Sequence, residues 1–286
     1  MSDREHFRFL EPLRVRWAEV DMQKIVFNAH YLMYFDTAVA GYWRALALPY
    51  EESMHALGGD LYVRKATLEY EGSARYDDQL HVGMRCERIG STSLLLRCAA
   101  FRGRQRLVAG ELVYVFADPA TQRPRPVPAA LRDLLVGFEQ GEPVLDLHVG
   151  DWATLGPRAS PIRQAVFVQE QQVPAALEAD DADAGATHAL AVNRLGAAVG
   201  TGRLVATAPG VCKLGRMAVL STVRGAGVGS ALLRALSAAA RAQGAHTLML
   251  HAQDTAVDFY RRLGFVPQGE VFQEAGIAHQ VMSIAL

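Results

Sequence analysis

"RMAVLSTVRGAGVGSALLRAL", residues 216–236, decides how the C-terminal half is read. Arg224, Gly227 and Gly229 stand in an R-x-x-G-x-G spacing, with Gly225 added and Ala226, Val228 and Ser230 completing the loop. The run before it reads as a strand and the apolar run after it, 228–243, as a helix. A strand, a glycine turn and a helix N-terminus together make an anion site. The first helical N–H groups lack intrahelical acceptors, the helix dipole adds partial positive charge, and missing Cβ atoms let a ligand approach. Arg224 adds a cation. The loop has no Gly-Lys-Ser/Thr, so it is not a P-loop, and no acidic strand-end residue follows at about 20 positions, which excludes a dinucleotide fingerprint. On spacing alone, a glycine turn whose arginine caps a neighbour remains open.

Working outward, the loop is preceded by an amphipathic segment "SPIRQAVFVQEQQVP", an acidic loop "EADDADAG", and strands "HALAVNRL", "AAVGTGRLVA" and "CKLGRMAVL". It is followed by a strand "HTLMLHA", a helix "TAVDFYRRLGF" with Tyr260 near its middle, and a hairpin to "HQVMSIAL". "QGEP", 140–143, marks a domain boundary. No internal repeat is present.

The N-terminal half carries a second signal, "RVRWAEVDMQKIVFNAHYLMYFD", 14–36. Residues 8–18 alternate as a strand does, and the strand is expected to end at Glu19-Val20-Asp21, with a helix starting near Asn28. Leu32, Phe35, Val39, Tyr42, Trp43 and Leu46 fall at helical spacing, and the apolar flanks suggest a helix wrapped on most sides. Four strand-like runs with short Gly, Ser or Asp breaks follow between 60 and 118. Prolines then end the sheet, and "AALRDLLVGFE" reads as a short helix. A carboxylate at Asp21, beside a helix N-terminus, can attack a thioester carbonyl or activate water while helix N–H groups hold the oxyanion. Asp21 is equally readable as a turn or capping residue.

Bulk properties set limits. The 286 residues suit about two domains, and 50% hydrophobic residues can fill two cores. A net charge of −1 gives no electrostatic case for nucleic acid or an anionic membrane. Three cysteines, Cys86, Cys98 and Cys212, without CxxC spacing, argue against a disulfide framework and fit a reducing compartment. No His/Cys/Asp cluster has metal-ligand spacing. There is no signal-peptide core and no run near the ~20 apolar residues of a membrane span, so a cytoplasmic protein is expected.

The ordered set from about 145 to 286 resembles the GNAT N-acetyltransferase superfamily, whose pyrophosphate loop is R/Q-x-x-G-x-G/A. The resemblance extends to a subgroup reading like "IRQAVFVQEQQVP…EADDADAGATHAL" and "LMLHAQ". It implies that residues 224–230 cradle the pyrophosphate of acetyl-CoA. It further implies that the backbone of Met217, Ala218 and Val219 pairs with the pantetheine arm and that Tyr260 protonates the departing thiolate. A phenol suits that task, its pKa near 10 being close to that of an alkyl thiol. The acceptor amine must lose a proton; Glu170, Glu178, Asp180, Asp181 and Asp183 are candidate bases, or members of a solvated acidic loop without chemistry.

Residues from about 8 to 138 resemble the 4-hydroxybenzoyl-CoA thioesterase-like branch of the hotdog superfamily, whose pattern is roughly D/E-x-D-x-x-G-I/V-V-x-x-x-x-Y. Glu19, Asp21, Ile25, Val26 and Tyr31 match, and "ARYDDQLHV", "RIGSTSLLL" and "VYVFADPATQRPRPVP" read alike. The resemblance carries the catalytic carboxylate to Asp21 and implies a dimer with CoA thioester sites at the subunit interface. The family's glycine is Lys24 here, able to alter the turn or to reach a CoA phosphate. Asn28 stands where one branch often has histidine, and His30, two positions on, is either a structural histidine or a substrate contact.

The expectation is therefore an α+β chain. A hotdog domain over 1–140, an antiparallel sheet wrapped round a long helix, precedes a GNAT α/β acetyltransferase domain over 141–286. The first half is expected to hydrolyse an acyl-CoA and the second to transfer acetyl from acetyl-CoA to an amine. CoA, acetyl-CoA and acyl-CoA are substrates; no tightly bound cofactor, metal, nucleic acid or membrane is implied. A homodimer or homotetramer through the hotdog domain is expected. Two alternatives stand: a thioesterase regulated by a non-catalytic acyl-CoA-sensing GNAT-like domain, or an acetyltransferase dimerised by an inactive hotdog scaffold.

Overall fold

A computed structural model describes residues 3–178 and 180–286. The chain divides into two units, one ending at Val144 and one running from Leu145 to Leu286.

The first unit contains β1 (Phe9–Arg14), α1 (His30–Ala45), α2 (Tyr50–Ala56), β2 (Asp60–Tyr70), β3 (Gln79–Ile89), β4 (Ser93–Arg102), β5 (Gln105–Ala117) and α3 (Ala129–Gln140). The five strands form an antiparallel sheet in the order β1-β3-β4-β5-β2, curled around α1 in the hotdog arrangement. Helix α1 buries Tyr31, Tyr34, Phe35, Ala38, Val39, Tyr42 and Trp43, a stripe at three- and four-residue spacing. Gly110 of β5 lets it close in, because a Cβ there would stand 2.5 Å from the Phe35 ring.

Three readings change. The first strand ends at Arg14, and Trp17–Glu19 is a 3-10 turn, so no strand delivers Asp21. Helix α1 begins at His30, two residues after Asn28. The helix is covered on one face only: Leu32 is 41% exposed and Met33 is exposed too, because the sheet reaches a single side. Helix α2 lay unread between the long helix and the strands.

The second unit contains β6 (Leu145–Gly150), α4 (Trp152–Arg163), α5 (Ala175–Glu178), β7 (Thr187–Asn193), β8 (Ala198–Ala208), β9 (Val211–Val219), α6 (Val228–Ala242), β10 (Thr247–Gln253), α7 (Val257–Arg262), β11 (Val266–Glu274) and β12 (Ile277–Ala285). Its seven-stranded mixed sheet runs β11-β12-β10-β9-β8-β7-β6, the GNAT arrangement; only β9 and β10 pair in parallel. Leu155, Ala159 and Ile162 of α4 pack with Leu190, Val192 and Ala218 on one face of the sheet. Helix α6 takes the other face through Val228, Leu232 and Leu236, and Gly200 of β8 permits the approach, since its Cβ would meet Val228 at 2.7 Å. Pro157 and Pro161 remove two donors from the α4 ladder, and the chain widens into π turns over Gln164–Glu170. β6, the edge strand, gave no periodic signal apart from its neighbours.

Candidate functional site

In the second unit the β9–β10 ladder runs from Val211/Thr247 to Leu214/Leu250 and stops, although β9 continues to Val219 and β10 to Gln253. The other edge of β9 stays bonded to β8, with Thr201 opposite Ala218 and Gly200 opposite Val219. Arg216 sits at the register shift in that pairing with φ +49°. The divergence of β9 and β10 opens a cleft of about 550 Å³ whose walls include Phe167, Met217, His251, Tyr260 and Glu274. Ala218 packs into the α4 core, and Met217 is the last β9 residue that lines the cleft.

The glycine loop joins this β9 edge to α6. Gly225 has φ +92° and Gly227 φ +80°, left-handed conformations that side chains rarely adopt. No side chain caps α6, so its first N–H groups, at Val228, Gly229 and Ser230, are left without intrahelical acceptors. Gly229 faces the Phe259 ring, where a Cβ would stand at 3.2 Å. Arg224 donates from Nε to the Val219 carbonyl at 3.1 Å and turns its other two nitrogens to Glu170. Tyr260, on α7, is buried between Phe259 and Phe265, and burial pushes its phenol up to about 12, so it holds its proton.

The acidic segment is not a solvated loop. Glu178 is 5% and Asp183 4% exposed, both bonded to the fully buried guanidinium of Arg163. Asp183 also accepts from Arg203 at 2.8 Å. Burial opposes its charge, but the hydrogen bonds and charges of Arg163 and Arg203 outweigh that and hold its carboxyl below the usual range. Asp180 accepts from Arg203 and Arg216, which lowers it likewise. Glu170 pairs with Arg224. Of the five carboxylates considered as bases, four are therefore committed to arginines, and Asp181 is exposed.

Sequence reasoning missed another group in the cleft. His251 Nδ1 lies 2.7 Å from Glu274 Oε2 and 3.3 Å from Lys213 Nζ. Lys213 pairs with Met249 and Gln253 with His279, so alternation puts Lys213, His251, Gln253 and His279 on one face of the sheet. The signal was the period-2 pattern of "TLMLHAQ", in which His251 falls on the face opposite buried Leu248, Leu250 and Ala252.

In the first unit, Asp21 heads a tight turn. Its Oδ1 accepts from Gln23 N at 2.8 Å, its carbonyl accepts from Lys24 N at 2.9 Å, and its N–H donates to Ile25 O at 2.9 Å. The Val20–Val26 bridge and the Phe27 N–H to Glu19 O bond clamp the turn's base. Lys24, where the family has glycine, adopts φ +61°. Among the described residues, Oδ2 of Asp21 has no hydrogen-bond partner. The neighbouring carboxylate, Glu19, is buried and fully engaged by Arg16 and by Tyr34 Oη at 2.7 Å. Burial works against its charge, but these donors prevail and lower it.

A cavity of about 750 Å³ beside the turn is walled by Arg14, Glu19, Leu32, Tyr34, Asp36 and Val63 among others; Asp21 is not among its walls. At the head of α1, the N–H groups of His30, Tyr31 and Leu32 already bond the Phe27, Asn28 and Ala29 carbonyls. The oxyanion donors expected there reduce to the N–H groups of Asn28 and Ala29. His30 Nδ1 is buried without a hydrogen-bond partner. Tyr31 Oη accepts from Ala74 N at 2.8 Å and so fixes the helix start to the β2–β3 connection.

Residues 154–286 match the acetyltransferase (GNAT) domain family and residues 15–135 the thioesterase-like superfamily. An uncharacterized N-acetyltransferase, YjcF of Bacillus subtilis, is 40% identical over 122 residues, 42% of this chain and 86% of that protein. Acyl-CoA thioester hydrolase YbgC of Escherichia coli is 28% identical over 124 residues, 43% of this chain and 92% of that one. A solved putative N-acetyltransferase from Lactobacillus plantarum is 28% identical with a TM-score of 0.46, covering 50% of this chain and 99% of that one. Among the described residues no helix is long and apolar enough to cross a membrane, and no group of three His, Cys, Asp or Glu could hold a metal ion.

Proposed function

From a chain that belongs to the GNAT acetyltransferase family through its C-terminal half and carries a thioesterase-like superfamily domain in its N-terminal half, we propose two reactions on coenzyme A thioesters. The observation that carries the reading is the parted β9–β10 pair leading into the uncapped N-terminus of α6.

In the second unit, acetyl-CoA lies with its pyrophosphate on the N–H groups of residues 225 and 227–230, the Ala226 N–H being held by the Val223 carbonyl, and on Arg224, once that guanidinium leaves Glu170. Its pantetheine amides pair with the free edge of Met217–Val219. A neutral amine attacks the thioester carbonyl, the C–N bond forms, and the C–S bond breaks as Tyr260 gives its proton to the thiolate. Buried Tyr260 keeps that proton until the thiolate appears.

In the first unit, Asp21 acts on an acyl-CoA as nucleophile or as base for water, giving free acid and CoA. The free Oδ2 and the unclaimed Asn28 and Ala29 N–H groups support this. Lys24 and His30 flank the substrate loop. The unit assembles as a homodimer or homotetramer: Met22 is fully exposed, Phe27, Leu32, Met33 and Val63 are exposed around the turn and cavity, and β2 is an open sheet edge. The protein works in the cytoplasm.

Thiol release from acyl-CoAs spanning acetyl to long-chain and benzoyl, with wild type and Asp21→Asn, tests the first reaction. Chain-dependent release lost in the variant is expected; background release from a folded protein would make this unit a scaffold. Amine-dependent release with wild type and Tyr260→Phe tests the second. Tight CoA binding without transfer to any amine would make that unit a sensor.

A further inference from the structure

We propose that His251 is the general base of acyl transfer, taking the proton from the acceptor's ammonium, and that Glu274 is its positioning residue. The proposal rests on the transferase reading above.

The hydrogen-bond chemistry assigns the tautomer. A carboxylate only accepts, so the shorter contact, 2.7 Å to Glu274 Oε2, puts the ring proton on Nδ1, and the Lys213 ammonium 3.3 Å from that nitrogen is then a neighbouring charge and not its hydrogen-bond donor. Nε2 is then a bare lone pair, and among the described residues it has no partner from the chain. The imidazole side chain is 24% exposed, enough for a substrate to reach and too little for free tumbling. The Phe272 ring meets it edge to face at 4.9 Å and fixes the ring plane.

The surroundings keep Glu274 ionised. Burial raises its carboxyl, but the hydrogen bond from His251 and the Lys213 charge, with His251 and His279 adding theirs once protonated, outweigh this and leave it below its ordinary value. Lys213 faces the pair from β9; from β12, His279 donates from Nδ1 to the Ile277 carbonyl at 2.8 Å and stacks on Phe272. An imidazole oriented by a carboxylate is the base arrangement of many acyl transfers.

Position agrees. His251 is the first β10 residue beyond the last paired one, Leu250, and so stands where β9 and β10 part. It shares the cleft wall with Tyr260, the proposed acid, and with Met217. The carboxylates of Glu170, Glu178, Asp180 and Asp183 are taken by arginines, whereas His251 Nε2 is free.

The proton balance closes. R–NH3+ gives one proton to Nε2, which passes it to solvent after turnover. The amine's lone pair forms the C–N bond. The thiolate leaves with the C–S electrons and takes the Tyr260 proton, and the new amide's second proton restores the phenol.

The experiment uses the full chain carrying Asp21→Asn, so that hydrolysis does not mask transfer. CoA binding is measured first, by calorimetry, for this protein and for its His251→Gln and Glu274→Gln variants; failure to bind before either change would overturn the transferase reading itself. Long-range proton–nitrogen NMR of the CoA-bound protein then reads the His251 tautomer: Nδ1–H with bare Nε2 is expected, and a proton on Nε2 alone would overturn the proposal. Transfer from acetyl-CoA is read with a panel of primary amines and with hydroxylamine, which is already neutral near pH 7. His251→Gln should bind CoA normally, lose about 10²–10⁴-fold with protonated amines and largely keep hydroxylamine transfer. Glu274→Gln should lose less and shift the acidic limb of the rate–pH profile. Equal losses for hydroxylamine and the amines, or no loss for either, would sink the assignment.

Discussion

The guanidinium of Arg224 and the carboxylate of Glu170 meet through two parallel hydrogen bonds, Nη1 to Oε1 at 2.6 Å and Nη2 to Oε2 at 2.7 Å. The glycine loop's one arginine is thus held by an internal anion where the phosphate reading needs it for a ligand. Both side chains are well exposed, so screening limits the pair to about 0.2–1 kcal/mol. Glu170→Gln should tighten CoA binding by up to about fivefold at low salt, with the gain shrinking as salt rises. Arg224→Gln should weaken it. Calorimetric titration of CoA across a salt series measures both, and a weaker Kd in Glu170→Gln would mean that the carboxylate supports the loop instead of competing for it.

Arg163 is the most buried cation of the second unit, bonded to Glu178, to both Asp183 oxygens at 2.9 and 3.0 Å, and to the Glu178 carbonyl. Removing it strands the buried Glu178 carboxylate and leaves Asp183 with Arg203 alone. Arg163→Met should cost the unit about 3–5 kcal/mol, read from the urea midpoint. A loss below about 1 kcal/mol would mean that water reaches the carboxylates.

His188 gives the second unit a pH dependence. Burial lowers its imidazole, the bond from Nε2 to the Asp183 carbonyl and the Asp183 charge oppose that in part, and Arg163 and Arg203 disfavour the proton further. Trp152 covers the ring at 4.8 Å. With the folded pKa depressed below the ordinary value of 6.5, the unfolded chain binds the proton first, so stability falls as pH drops below about 6.5. Asp180 and Asp183, also depressed, add a second loss below their ordinary value of 3.8, as the unfolded chain again protonates first. Urea midpoints across mildly acidic pH should slope downward in wild type and flatten in His188→Gln.

Lys24 holds φ +61° at the turn that presents Asp21. The left-handed conformation costs a side chain about 1–2 kcal/mol, offset in part by the 0.5–1 kcal/mol that glycine loses in chain entropy. Lys24→Gly should therefore stabilise the first unit by about 0.5–1 kcal/mol. If Lys24 also meets a CoA phosphate, the same variant raises KM for acyl-CoA and leaves KM for the matching acyl-pantetheine thioester alone. Equal KM changes for both would remove the phosphate contact.

Much of this was legible in the chain. Period-2 runs marked β2 to β5, the three- and four-residue spacing of Phe35, Val39 and Tyr42 marked α1, and the glycines marked the loop before α6. The failures have physical causes. "EADDADAG" reads as solvated because its partners, Arg163 and Arg203, are lone cations set among apolar residues well away in sequence. His251 and Glu274 lie 23 residues apart on β10 and β11, joined only through β12, so no local spacing announces them. Asp21 was expected at a strand end, but the Val20–Val26 bridge and the turn hydrogen bonds hold it.

The early end of the β9–β10 ladder also writes a pattern into the main chain. Between Gly215 and Val219, amides turned toward β8 are shielded by antiparallel pairing, while alternate ones face the cleft with no strand beside them. In heavy water the bare set should trade hydrogen for deuterium quickly and the bonded set slowly, a two-residue rhythm within one strand. A ligand that lays its own amides along that edge would silence the fast half of the rhythm and leave the slow half unchanged.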